Sequence, residues 1–290
     1  MTSFIDIWHK LLSLSSIANL TFIIYHIFTS KTYNKTHKSL LNFAFIYTLV
    51  CTIRSIWLKK PIQQICFNNF FLSTPFIGRF ISTIAELSFA SQITIFVKFI
   101  SNQLHSLLKI KKPSFYYINC LIPIIYIAQT FCWLACITKF HLWNAVEESL
   151  WTIFAFILLI HFYKLYKIIP KNSKNKKVNK IKNILFTKII FVIFYILFMI
   201  FIDIPTYFKR FIDSDFNKQS NITISEFISN FYQKHSDFIP KLFQLFKCKI
   251  ISKDFDDWKD NIAFFTGYFS IAVWASIYLP IWYKQYHNLT

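Results

Sequence analysis

Ile189-Ile190-Phe191-Val192-Ile193-Phe194-Tyr195-Ile196-Leu197-Phe198-Met199-Ile200-Phe201-Ile202 decides the class of this chain. No charge, proline or glycine interrupts it. A helix needs ~20 mostly apolar residues to cross the hydrocarbon core of a bilayer. The run lies inside a stretch of that length, residues 184–205. Strands of a membrane barrel alternate apolar and polar positions over about ten residues. Nothing here alternates, so the stretch reads as a membrane-spanning helix.

The same reading extends outward to residues 11–30, 40–58, 77–100, 115–138, 144–166 and 261–283. The expected fold is all-α, a polytopic transmembrane helical bundle of about seven spans, one bundle over residues 1–290. Residues 11–30 lack a small-residue cleavage site and a clean basic start, so they read as a mature span and not a signal peptide. Proline lacks an N–H, so Pro123 is expected to kink the fourth span and Pro205 to close the sixth. Residues 206–260 form an extramembrane segment. Within it, 225–232 and 238–246 place Phe, Ile and Leu at helical intervals, as interfacial helices or a lid would.

Composition agrees. Hydrophobic residues make up 55% of the chain, aromatic ones 20% and charged ones only 16%. That is far too apolar for disorder, and too poor in charge for an ordinary soluble domain, which carries about 25%. Two glycines exclude collagen and Gly-rich phosphate-cradling loops. The net charge is +19, nearly all of it lysine, with arginine only at Arg54, Arg79 and Arg210. Base readers favour arginine for its bidentate fork, so no nucleic-acid partner is expected.

The lysines read instead as topology signals, because Lys and Arg accumulate in cytoplasmic loops. Lys31, Lys35 and Lys38 follow the first span; Lys109, Lys111 and Lys112 follow the third. Lys171, Lys174, Lys176, Lys177, Lys180 and Lys182 follow the fifth, and Lys284 follows the last. The opposite face has Lys10, Lys59, Lys60 and Lys139. The expectation is N-terminus outside and C-terminus inside, in a plasma membrane or endomembrane. The lysine-rich run 171–182 could also hold anionic lipid heads. Asn221-Ile222-Thr223 falls in the outer segment and has the N-glycosylation pattern.

Of the six cysteines, Cys66 and Cys248 fall in outer loops under this topology, and an oxidising compartment would permit a disulfide between them. There is no paired Cys-x-x-Cys and no His at ligand spacing, so neither metal nor cofactor is expected.

Charge inside a span costs ~2.5–3.5 kcal/mol at the membrane centre, so it turns toward water or a partner. Arg79, Ser82, Thr83 and Glu86 share one helix face by the i, i+3, i+4, i+7 rule. Arg54 sits near the outer end of the second span. Glu147 and Glu148 open the fifth, and Asp203 nears the end of the sixth. Under the expected topology all lie in the outer half. Arg54, Arg79, Glu86, Glu147, Glu148 and Asp203 are therefore the candidate binding residues of a charged outer cavity, with an arginine–carboxylate pair as compensation. Glu86 is least able to reach the interface and is the leading candidate for proton coupling or acid/base work.

Three functions fit: a small-solute or ion transporter or channel, a lipid-active intramembrane enzyme, or a non-catalytic receptor or assembly subunit. Known seven-span patterns do not match. Val97-Lys98-Phe99-Ile100 stands where a G-protein-coupled receptor has an Asp-Arg-Tyr-like triplet. Residues 261–283 contain no lysine for retinal. His26 and His161 are too few for an intramembrane zinc hydrolase such as an alkaline ceramidase.

Overall fold

The computed structural model describes residues 4–29, 34–110, 116–170, 173–213 and 224–287. Asn221 and Lys171, named above, lie outside the described residues, as do Lys31, Lys111 and Lys112. Among those described, seven helical stretches are long and apolar enough to cross a membrane. They are Phe4–Thr29, Lys35–Ile56, Pro75–Leu108, Tyr117–Thr138, Leu142–Lys167, Lys176–Phe211 and Phe255–His287. Large apolar side chains point outward along them: Phe28 is 85% exposed, Phe194 68% and Phe201 72%. Lipid accepts such a surface and water does not. The chain is a multi-pass membrane protein.

By packing it divides into two compact units, Met1–Gln92 with Ile239–Asn288, and Ile93–Phe238 with Leu289–Thr290. The first boundary falls inside one continuous helix, which is why no shift of composition marks it.

In the first unit, helix α1 (Phe4–Thr29) lies along α2 (Lys35–Ile56). Hydroxyls tie the two, because a polar group in lipid must find a protein partner. Thr52 donates to the Ser16 carbonyl at 2.9 Å, and Ser13 to the Ser55 carbonyl at 3.3 Å. Asn34 caps α2, its side chain accepting from the His37 N–H at 3.0 Å. A small sheet follows. Strand β1 (Lys59–Lys60) pairs antiparallel with β2 (Ile65–Cys66), Lys59 opposite Cys66. Strand β2 pairs in parallel with β3 (Ile250–Ile251), Ile65 opposite Ile250. A disulfide joins Cys66 to Cys248, with Cα atoms 5.8 Å apart.

Helix α3 (Pro75–Leu108) starts after a short 3₁₀ turn, Phe71–Ser73. At 34 residues it is about 51 Å long, more than a bilayer core requires. The segment after α10 (Phe238–Gln244) docks on its first turn: Phe246 stacks on Phe76 at 4.1 Å, and the Phe76 N–H donates to Leu245 O at 2.9 Å. The last span runs as α11 (Phe255–Gly267), a π-helical turn Tyr268–Ala272 and α12 (Val273–His287). Fully buried Trp258 anchors its start, donating to the Ser252 carbonyl at 3.0 Å and meeting Phe67 edge-on.

In the second unit, α4 (Tyr116–Asn119) and α5 (Leu121–Thr138) lead to α6 (Leu142–Lys167). Next come α7 (Lys176–Phe198), a π-helical turn Met199–Asp203 and α8 (Ile204–Phe211). Helix α6 packs against α5, α7 and α8. Helix α9 (Ile224–Ser236) lies against the α5–α6 corner, where the Trp143 indole donates to His235 Nε2 at 3.1 Å.

One proline expectation is corrected. Pro205 does not close the sixth span, which continues to Phe211. The Ile204 N–H reaches Met199 O, one residue further back than in an α-turn. Pro205 then enters the first turn of α8, where a missing N–H is tolerated. Pro123 lies inside the fourth span, which breaks at Cys120 between α4 and α5, in the turn before it, where a proline removes the bond to residue i−4. The spans also run beyond the expected limits at several ends, so α8 and α11 take up part of the expected 206–260 loop.

Candidate functional site

The six candidate residues belong to two charge clusters, one inside each unit.

The cluster of the first unit is built on α2, the start of α3 and the π-turn Tyr268–Ala272. Arg79 Nη2 donates to Glu86 Oε1 at 3.0 Å, and Ser82 Oγ donates to the same oxygen at 3.1 Å. All three are nearly buried: 7%, 8% and 1% exposed for Arg79, Glu86 and Ser82. The spacing of seven residues puts them on one face of α3. The pair therefore joins two turns of one helix.

Arg54 behaves differently. Its guanidinium lies over the Tyr268 and Phe269 rings, 5.0 and 5.6 Å from their centroids. It has no carboxylate partner among the described residues, and its buried Nη1 has no hydrogen-bond acceptor there. Aromatic faces attract a cation through their quadrupole but leave its charge in place. Tyr47, also fully buried, stacks on Phe89 at 4.8 Å beside this group.

Lys59 was read from the sequence only as an outer-loop charge, yet it is 5% exposed. Its ammonium donates to the Leu72 carbonyl, and its alkyl stem lies across Gly78 of α3. A Cβ at Gly78 would meet Lys59 Cδ, Cε and Nζ, so any larger residue would push the end of this flexible side chain aside. Burial first, and the Arg54 guanidinium second, bring the Lys59 ammonium down to about 7. The pairing of Lys59 with this glycine was the missed signal: one of two glycines in the chain stands next to Arg79.

The cluster of the second unit is acidic. Glu147, 4% exposed, accepts from Asn144 Nδ2 at 3.3 Å. Asp203, 8% exposed, ends the π-turn, with its carboxyl within hydrogen-bonding reach of the Glu148 carboxyl on α6. Arg210, in the last turn of α8, faces Asp203 electrostatically and lies over the Tyr207 ring at 5.6 Å. Two carboxyl groups facing each other repel as anions, and a shared proton removes that repulsion.

Gln92 lies deeper on α3 and is not among the candidate residues. It is fully buried and knots three helices: Nε2 donates to Leu40 O at 3.1 Å and Ser276 O at 2.9 Å, while Ser276 Oγ donates to Gln92 Oε1 at 2.6 Å. This is structural glue of the kind expected between helices in lipid. Among the described residues, no group of three or more His, Cys, Asp or Glu is arranged to hold a metal ion.

Comparison of the chain with protein-family models, curated proteins and solved structures finds no match.

Proposed function

We propose that this membrane protein is a small-ion pathway, with the carboxyl pair Glu148–Asp203 as a proton-exchanging site. The supporting observation is that pair itself, with Asp203 on a π-helical turn inside a span and Glu148 on α6. Charge at such depth is costly and tends to mark ion or proton routes. Widened π-turns occur often at functional sites. Glu147 and Arg210 set the field around the pair, and Tyr207 adds a hydroxyl that can pass a proton on. Glu86 is less suited to this work than the sequence suggested, because Arg79 and Ser82 occupy it.

The orientation that places this site toward the outside has two supports. The lysine asymmetry is one. The other is the Cys66–Cys248 disulfide, which belongs on an oxidising side.

The test is proton uptake into proteoliposomes loaded with a pH-sensitive dye, driven by a potassium diffusion potential. Protein-dependent uptake is expected, falling roughly tenfold or more in Asp203→Asn and Glu148→Gln. Lys253→Ala, at an exposed surface ion pair with Asp6, should keep it. Uptake no greater than in empty liposomes, or unchanged in both carboxyl variants, overturns the reading.

A further inference from the structure

The first unit carries a charge imbalance that its own side chains do not resolve. Arg54, Lys59 and Arg79 bring three cations to the end of α2 and the start of α3. One carboxylate, Glu86, is hydrogen-bonded into this group. Arg79 takes it. Arg54 has ring faces and a buried Nη1 without an acceptor. Lys59 has a neutral carbonyl, that of Leu72. Lys59 and Arg54 are near enough for each to feel the other's charge. Lys59 can relieve this repulsion by giving up its proton but Arg54 cannot, and an anion between them would let both stay charged.

The site is built rather than incidental. The Lys59 stem lies in the space that Gly78 leaves open, and the Cys66 and Cys248 sulfurs lie against the Ser73 carbonyl, 3.1 and 3.8 Å away, in the turn whose Leu72 carbonyl holds the ammonium. Its depth is that of a membrane interface. Trp57 stacks on Phe70 at 5.6 Å, and Phe70 and Phe71 are 51% and 64% exposed, as aromatic belt residues are. Guanidinium forks and an ammonium point charge together suit a tetrahedral oxyanion.

We propose that Arg54, Lys59 and Arg79 form a binding site for a phosphate group, carried by a phospholipid head or by a free phosphate. This is independent of the proton pathway, and its test reads binding without any flux.

The full-length protein is placed in phosphatidylcholine nanodiscs and its melting temperature followed. One arm titrates inorganic phosphate; the other replaces part of the lipid with phosphatidic acid. A rise of several degrees is expected in at least one arm, the phosphatidic acid arm marking a lipid head and the phosphate arm a soluble ligand. Arg54→Gln is expected to weaken half-saturation roughly tenfold or more, the worth of one charge-assisted contact. Lysine-to-glutamine changes at Lys174, Lys176 and Lys177 should leave the rise in place, which separates this site from the lysine-rich loop. Lys59→Gln replaces Arg54→Gln if the latter does not fold. A flat response in both arms, or a response equal in wild type and in the folded variant, overturns the proposal.

Discussion

The two units solve the same electrical problem in opposite ways. The first gathers three cations about one carboxylate; the second gathers three carboxylates near one arginine. A carboxyl cluster can relieve itself from within, because a proton taken from water turns two repelling anions into a hydrogen-bonded pair. The first unit has such an exit only at Lys59, since the guanidinium of Arg54 or Arg79 does not lose its proton in a protein. A guanidinium needs an external anion, aromatic faces, or an ion pair. The first unit shows the last two. That asymmetry is why a proton site is read in one unit and an anion site in the other.

The largest expected effect on this contrast comes from the disulfide. It closes a chain separation of 182 residues, for which the loop-closure model gives up to about 5 kcal/mol. The three described cysteines of the second unit, Cys120, Cys132 and Cys136, are in no disulfide. Replacing Cys66 and Cys248 by serine should lower the melting temperature and abolish the phosphate response while proton uptake persists. Equal loss of both activities would mean that the clusters are not separable.

The Arg79–Glu86 pair comes next. Arg79→Met removes the cation 3.0 Å from a nearly buried carboxylate and is expected to cost ~3–5 kcal/mol. The double change Arg79→Met with Glu86→Leu should return most of that loss, because neither charge is then left behind. Unfolding of the two single variants and the double variant in detergent gives the coupling directly. A double variant as unstable as Arg79→Met would show that the arginine does more than balance Glu86, as the anion site requires when loaded.

How much of this was legible follows from what each feature depends on. The spans were legible because apolar length is a local property, written in runs such as residues 189–202. The face shared by Arg79, Ser82 and Glu86 followed from helical spacing alone. The ends of the spans were less legible, since a π-turn lets the chain carry Pro205 into another helical turn, and no local propensity announces one. The partners of Arg54 were hidden for a different reason. Tyr268 lies 214 residues away in sequence, and a cation over a ring has no spacing signature. Lys59 looked like every other loop lysine; its burial depends on a glycine that tertiary packing brings beneath it.

The smallest effect is also the most specific to the first unit. Lys59 falls from its ordinary 10.5 to about 7 in the folded protein. Between those two values the unfolded chain binds a proton that the folded chain does not, so stability rises as pH rises from about 7 to about 10.5. Below about 7 the ammonium is charged in both states and its contribution no longer changes. The window must be examined in phosphate-free buffer, because a bound anion would hold Lys59 charged and erase the slope. Lys59→Met should flatten it. Gly78→Ala should flatten it as well at little packing cost, because the new Cβ takes the space of the lysine stem and turns the flexible ammonium toward water. Acidic-cluster variants such as Glu147→Gln should leave the slope untouched. If Gly78→Ala keeps the full slope, the stem is not what the glycine accommodates, and Lys59 loses its place in the cluster.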